Sequence, residues 1–96
     1  MNIGVTLKKL RKKRGLSQQD VSEKANLSRT YISQIESGAC NPTVETLESI
    51  GEVLCIPFPI ISFLSLDINS IPENKRDDYR LIEPSITAMI DDFFFK

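Results

Sequence analysis

The stretch QQDVSEKANLSRTYISQIES, residues 18–37, decides the fold. Ser17 offers a hydroxyl N-cap, Asp20 places an acid in the first turn, and Val21 and Ala25 fall on one face, so a helix is predicted over 18–25. Asn26, which tolerates the left-handed conformation, ends it. Ser28 caps again, Ile32 and Ile35 mark a buried stripe, and Gly38 closes a helix over 29–37. Two short helices thus follow one another across a turn of about three residues. At about 100° per residue, Ile32 and Ile35 fix the inward direction of the second helix. Thr30, Gln34 and Ser37 then point within about 50° of the opposite direction, with Ser33 nearer the side. This outward face is short and hydrogen-bonding. A plain solvated helix surface has that composition, and so does one built to meet the donors and acceptors of base edges in a major groove.

Working outward, Ile3, Leu7 and Leu10 recur at helical spacing and predict a helix over 3–14 that stops at Gly15 after a run of cations. Downstream, Asn41, Pro42 and Thr43 break the chain, and Thr43 can cap a helix over 44–54 with Leu47, Ile50 and Leu54 inward. A fifth helix is expected from Pro57–Pro59 to Leu66, with Phe58, Ile61 and Leu64 inward. Arg11 and Glu36 each border an apolar stripe, on the first and third helices. Opposite charges at the edge of one core invite an ion pair; the alternative is two independently solvated side chains.

The totals restrict the chemistry. Ninety-six residues form about one small domain, near the size at which oligomerisation supplies missing apolar burial. With no His there is no ready general base near neutral pH and no imidazole for a metal. Neither a pair of carboxylates, a nucleophile with its base, nor a phosphate loop stands at usable spacing, so no enzyme, cofactor or metal site is expected. Cys40 and Cys55 form no CxxC pattern, and no stretch approaches the roughly 20 apolar residues of a bilayer span, which points to a cytoplasmic protein with reduced thiols. The net charge of −1 conceals an asymmetry. Residues 1–38 carry eight Lys or Arg against three acids, while residues 57–96 carry four against seven. A basic head on an acidic tail presents a polyanion with a local potential that the total understates.

Taken together, RKKRGLSQQDVSEKANLSRTYISQIESG (11–38) and NPTVETLESIGEVL (41–54) resemble the Cro and phage-repressor (XRE) family of helix-turn-helix proteins, over about residues 3–66. The resemblance implies an all-α fold, a five-helix lambda-repressor-like domain, that binds double-stranded DNA. It implies that Gln18 bonds a phosphate and buttresses the third helix, and that Arg29, Thr30 and Gln34 lie where the family reads bases. Ser17, Tyr31 and Ser37 lie where it contacts the backbone, and Ser33 is counted with the same surface. Gln34 has the geometry to pair with adenine, and Arg29 with guanine or, equally, with a phosphate. The family also pairs an Arg with a Glu at positions 11 and 36 as a structural brace. Ser22 stands in place of the usual Ala, Asn26 in place of a turn Gly, and Cys55 where a Gly often ends the fourth helix. An αL conformation at Cys55 would bring strain or a different exit path.

Beyond residue 66 the resemblance ends. Residues 67–78 read as a polar connector, or as the start of another helix with Pro72 in its first turn. Ile86, Met89, Ile90, Phe93 and Phe94 then form one apolar face of a C-terminal helix over 85–95, opened by Pro84 and Ser85, with Tyr79, Leu81 and Ile82 just before it. Such a face needs cover, either by folding back on the fourth and fifth helices or by a second subunit. The expectation is a DNA-binding domain over 1–66 and a dimerisation arm over 67–96, the dimer using this helix, the fifth helix or both. A homodimer suits a regulator that reads a palindromic operator, and in size and head the chain resembles the controller proteins of restriction-modification systems. The other reading is an antitoxin-type protein whose tail engages a protein partner while the head binds its own promoter.

Overall fold

The computed structural model describes residues 3–95. Six α-helices, α1 (Ile3–Lys13), α2 (Gln18–Ala25), α3 (Arg29–Ser37), α4 (Val44–Leu54), α5 (Phe58–Leu64) and α6 (Arg76–Phe95), account for the architecture. Two 3₁₀ turns, Ile68–Ser70 and Glu73–Lys75, lead into α6, and no strand occurs among the described residues. The fold is thus all-helical.

Local chemistry sets the first four helices. Ser17, Ser28 and Thr43 each accept the backbone N–H three residues on, from Asp20, Tyr31 and Thr46, which satisfies one of the donors that a helix start leaves open. The four helices end alike. Gly15, Asn26, Gly38 and Cys55 are the residues with positive φ among those described, and the residue after each donates its N–H to a carbonyl one turn back. Leu16, Leu27 and Ile56 are three of those followers. Ile56, bonded to the Gly51 carbonyl at 2.9 Å, is fully buried, so the end of α4 contributes a core residue from outside any helix.

The core gathers Leu7, Leu10, Val21, Ile32, Ile35, Leu47, Ile50, Leu54, Ile56 and Ile61 between α1 and α5. Phe58 and Leu64, expected inward, are half-buried at its margin. α1 approaches α3 so closely that a Cβ built on the buried Gly4 would lie 2.4 Å from the Ile35 carbonyl oxygen. Only a residue without a side chain fits that crossing. Thr6 of α1 donates to the Leu64 carbonyl of α5 at 3.4 Å, and α4 and α5 meet at 97°. No single helix among the described residues is long and apolar enough to cross a membrane.

The C-terminal helix corrects the sequence expectation. It begins at Arg76, not at Ser85, and runs 20 residues through Pro84. Proline in a helix interior removes one backbone bond and crowds the carbonyl four residues back, at a cost of roughly 3 kcal/mol. Here Pro84 and Arg80 are both exposed, so water can reach the carbonyl that loses its partner. Proline followed by serine therefore resembled a helix start while lying inside one.

Candidate nucleic-acid interface

The geometry of the polar face begins with its support. Arg11 Nε and Nη2 donate to Glu36 Oε2 and Oε1 at 2.7 and 3.0 Å, and Arg11 Nη1 donates to the Leu16 carbonyl at 2.8 Å. The Glu36 bond raises the Arg11 pKa further, against the opposing effect of burial. Glu36 Oε1 accepts a third bond, from Gln18 Nε2 at 3.2 Å. One carboxylate thus ties α1, the N-terminus of α2 and α3 together. Desolvated charges of this kind hold only when every donor and acceptor is answered, and no buried side-chain polar atom among the described residues lacks a partner.

On this frame α3 turns Ile32, Ile35 and Glu36 inward and leaves Arg29, Thr30, Ser33, Gln34 and Ser37 exposed. Gln18, Arg29, Thr30, Ser33 and Gln34 line a single open concavity between the N-terminus of α2 and the outer face of α3. Ser17 lies at its edge as the N-cap of α2. Its Oγ accepts the Asp20 N–H at 3.0 Å, which leaves the hydroxyl proton available for an acceptor outside the protein. The Asp20 carboxylate accepts the Ser17 N–H in return, at 2.9 Å, and this bond holds its pKa below the usual range. Ser37 Oγ donates to the Gln34 carbonyl at 3.1 Å. Tyr31 is half-buried and packs against the core, so part of its side chain serves to seat α3.

The cations of α1 divide. Lys8, Lys9 and Lys12 are exposed, while Arg11 is committed to Glu36. Lys13 pairs with Asp91 of α6, and Arg14 Nε donates to the Leu54 carbonyl at 2.7 Å. Both of these last residues also face the Phe95 ring, with Lys13 Nζ 5.0 Å and Arg14 Cζ 4.4 Å from its centroid. Sequence reasoning missed this docking, because Phe95 lies off the apolar stripe on which the helix was recognised.

The stripe itself splits. Phe94 packs against the core, Ile86 and Ile90 are half-buried, and Met89 and Phe93 stand 69% and 80% exposed. Leu81 and Ile82 are exposed as well. Cys55 occupies the left-handed region at φ +59° and is exposed, whereas Cys40 is half-buried against the core.

Comparison with known proteins fits this geometry. The helix-turn-helix family profile matches residues 7–60. The immunity repressor protein of Bacillus phage phi105 is 45% identical over 56 residues, covering 58% of this chain and 39% of the repressor. The chain thus spans about two fifths of that relative's length. Among solved structures, SinR, the master regulator for biofilm formation, in complex with DNA, superposes with a TM-score of 0.60 at 33% identity, covering 62% of this chain and 97% of the SinR chain in that structure. The wild-type restriction-modification controller protein C.Esp1396I gives 0.61 at 35% identity, covering 66% and 82%. Over its two linked helices, their caps and the core beneath them, the chain belongs to the helix-turn-helix family of DNA-binding transcriptional regulators.

Proposed function

We propose that the chain is a transcriptional repressor that binds a palindromic operator as a homodimer. Residues 1–66 serve as the reading head and residues 67–96 as the dimerisation arm. The observation that carries the reading is the concavity lined by Gln18, Arg29, Thr30, Ser33 and Gln34 on an exposed, polar α3. α3 enters the major groove, where Gln34 pairs with adenine N6 and N7 and Thr30 and Ser33 lie within reach of neighbouring base edges. Arg29 takes guanine or the adjoining phosphate. Ser17, Gln18, Tyr31 and Ser37 hold the backbone, with Gln18 fixed in turn by Glu36. The DNA complex described for SinR, a relative in fold and sequence, supports this assignment.

For the arm, the full length of α6 matters. Tyr79, Ile82, Ile86, Met89 and Phe93 alternate at spacings of three and four, which makes one seam along the helix. Phe93, Met89 and Ile82 are exposed on that seam, and a second copy of α6 covers them. Two heads so joined read half-sites in successive major grooves, roughly 34 Å apart. Selection from random duplexes tests the whole reading. The expected product is an inverted repeat with a fixed centre-to-centre spacing, and recovery of a single unrepeated site would overturn the dimer.

A further inference from the structure

α6 is attached to the rest of the molecule at two ends. At its start Arg76 Nε donates to the Ile68 and Ile71 carbonyls, both at 3.1 Å, which ties the helix to the connector and not to the reading head. At its end Phe94 and Phe95 pack against the core, the Phe95 ring meets Lys13 and Arg14, and Lys13 pairs with Asp91. Arg14 is itself bonded to the Leu54 carbonyl, so this joint spans the ends of α1 and α4. The last two turns therefore have two sides, with Phe95 and Phe94 on the head and Met89 and Phe93 turned outward.

A 20-residue helix is about 30 Å long. Held only at Arg76, its far end would sweep through a wide arc for a small rotation at the connector. The joint at Phe95 removes that freedom, because it fixes the far end to the element that precedes the DNA-facing N-terminus of α2. We infer that Phe95, with Lys13 and Arg14, is a positioning residue that sets the spacing between operator half-sites. This inference rests on the dimer proposed above. Phe95 touches no base; it makes the direction of the arm, and so the placement of the second head, a property of the folded chain.

The test uses the full chain and duplexes that carry two selected half-sites, either at the selected spacing or with one base pair inserted. The insertion rotates one half-site by about 34° and moves it about 3.4 Å. The wild-type chain is expected to lose about tenfold or more in affinity on insertion, and Phe95→Ala less than about threefold, a difference of over half a decade in Kd. Binding of Phe95→Ala to a duplex with one half-site, and its mass in sedimentation, stay as in the wild type, which separates loss of positioning from loss of fold. Phe95→Tyr keeps the ring and restores the wild-type penalty. An unchanged insertion penalty in Phe95→Ala overturns the inference while leaving the dimer intact. A wild-type chain that sediments as a monomer and is indifferent to the insertion overturns the dimer itself.

Discussion

Arg11 and Glu36 meet in two parallel bonds, Nε to Oε2 at 2.7 Å and Nη2 to Oε1 at 3.0 Å, with side chains only 10% and 5% exposed. Breaking a buried pair from one side leaves an uncompensated charge. Arg11→Met or Glu36→Leu alone is therefore expected to cost about 3–5 kcal/mol, while the double variant recovers a large part of it. Urea denaturation of the three variants reads the difference. Equal, additive losses would mean that the two side chains act independently.

The contact of Gly4 with α3 gives a second test. A methyl group at position 4 would sit 2.4 and 2.8 Å from the Ile35 and Glu36 carbonyl oxygens, both backbone atoms without freedom to retreat. Gly4→Ala is expected to destabilise by about 1–3 kcal/mol, although alanine is the better helix former by nearly 1 kcal/mol. A stabilised variant in thermal denaturation would show that α1 and α3 do not approach so closely.

Cys55 offers the opposite sign. It holds φ +59° at the end of α4, where an L-residue costs roughly 1 kcal/mol, and its side chain is exposed. Cys55→Gly relieves the strain and returns part of it as backbone entropy in the unfolded chain, for a net gain of about 0.5 kcal/mol. A loss of stability in urea would assign the thiol a packing role.

Acid should loosen the cap of α2. The Ser17 N–H lowers the Asp20 pKa in the folded chain. That stabilisation is complete above the ordinary carboxylate range and is lost as pH falls through the lowered folded value. The gap in Tm between wild type and Asp20→Asn is accordingly expected to narrow as pH drops from about 6 to about 2.5. A gap that is constant with pH would remove Asp20 from the cap.

The first five helices were legible because their determinants are local. Ser17 with Asp20, Asn26, Ser28, Gly38 and Thr43 mark starts and stops within a few residues of the apolar stripes they bound, and the observed α2, α3 and α4 have the expected limits. What was not legible depends on approach in space. Ile56 falls between two helices, and its burial follows from the backbone bond to Gly51. Gly4 looks like a weak point in a helix until α3 lies across it. Lys13 and Asp91 are 78 residues apart, and neither stands out in its own segment. Of the candidate contact residues, the exposed ones on α3 followed from the directions of Ile32 and Ile35, whereas Gln18 depends on Glu36 to hold it in place.

The central claim is that α3 reads bases through Gln34 while Ser17, Gln18, Tyr31 and Ser37 hold the backbone and the basic head adds a general attraction for the polyanion. It is tested most directly by titrating wild type and Gln34→Ala on the selected palindrome and on a scrambled duplex over a range of salt. The expected result is a steep fall of affinity with salt for both proteins, and for Gln34→Ala a loss of about 1–3 kcal/mol on the palindrome with little change on the scrambled duplex. Equal losses on both duplexes, or an affinity flat with salt, would contradict it.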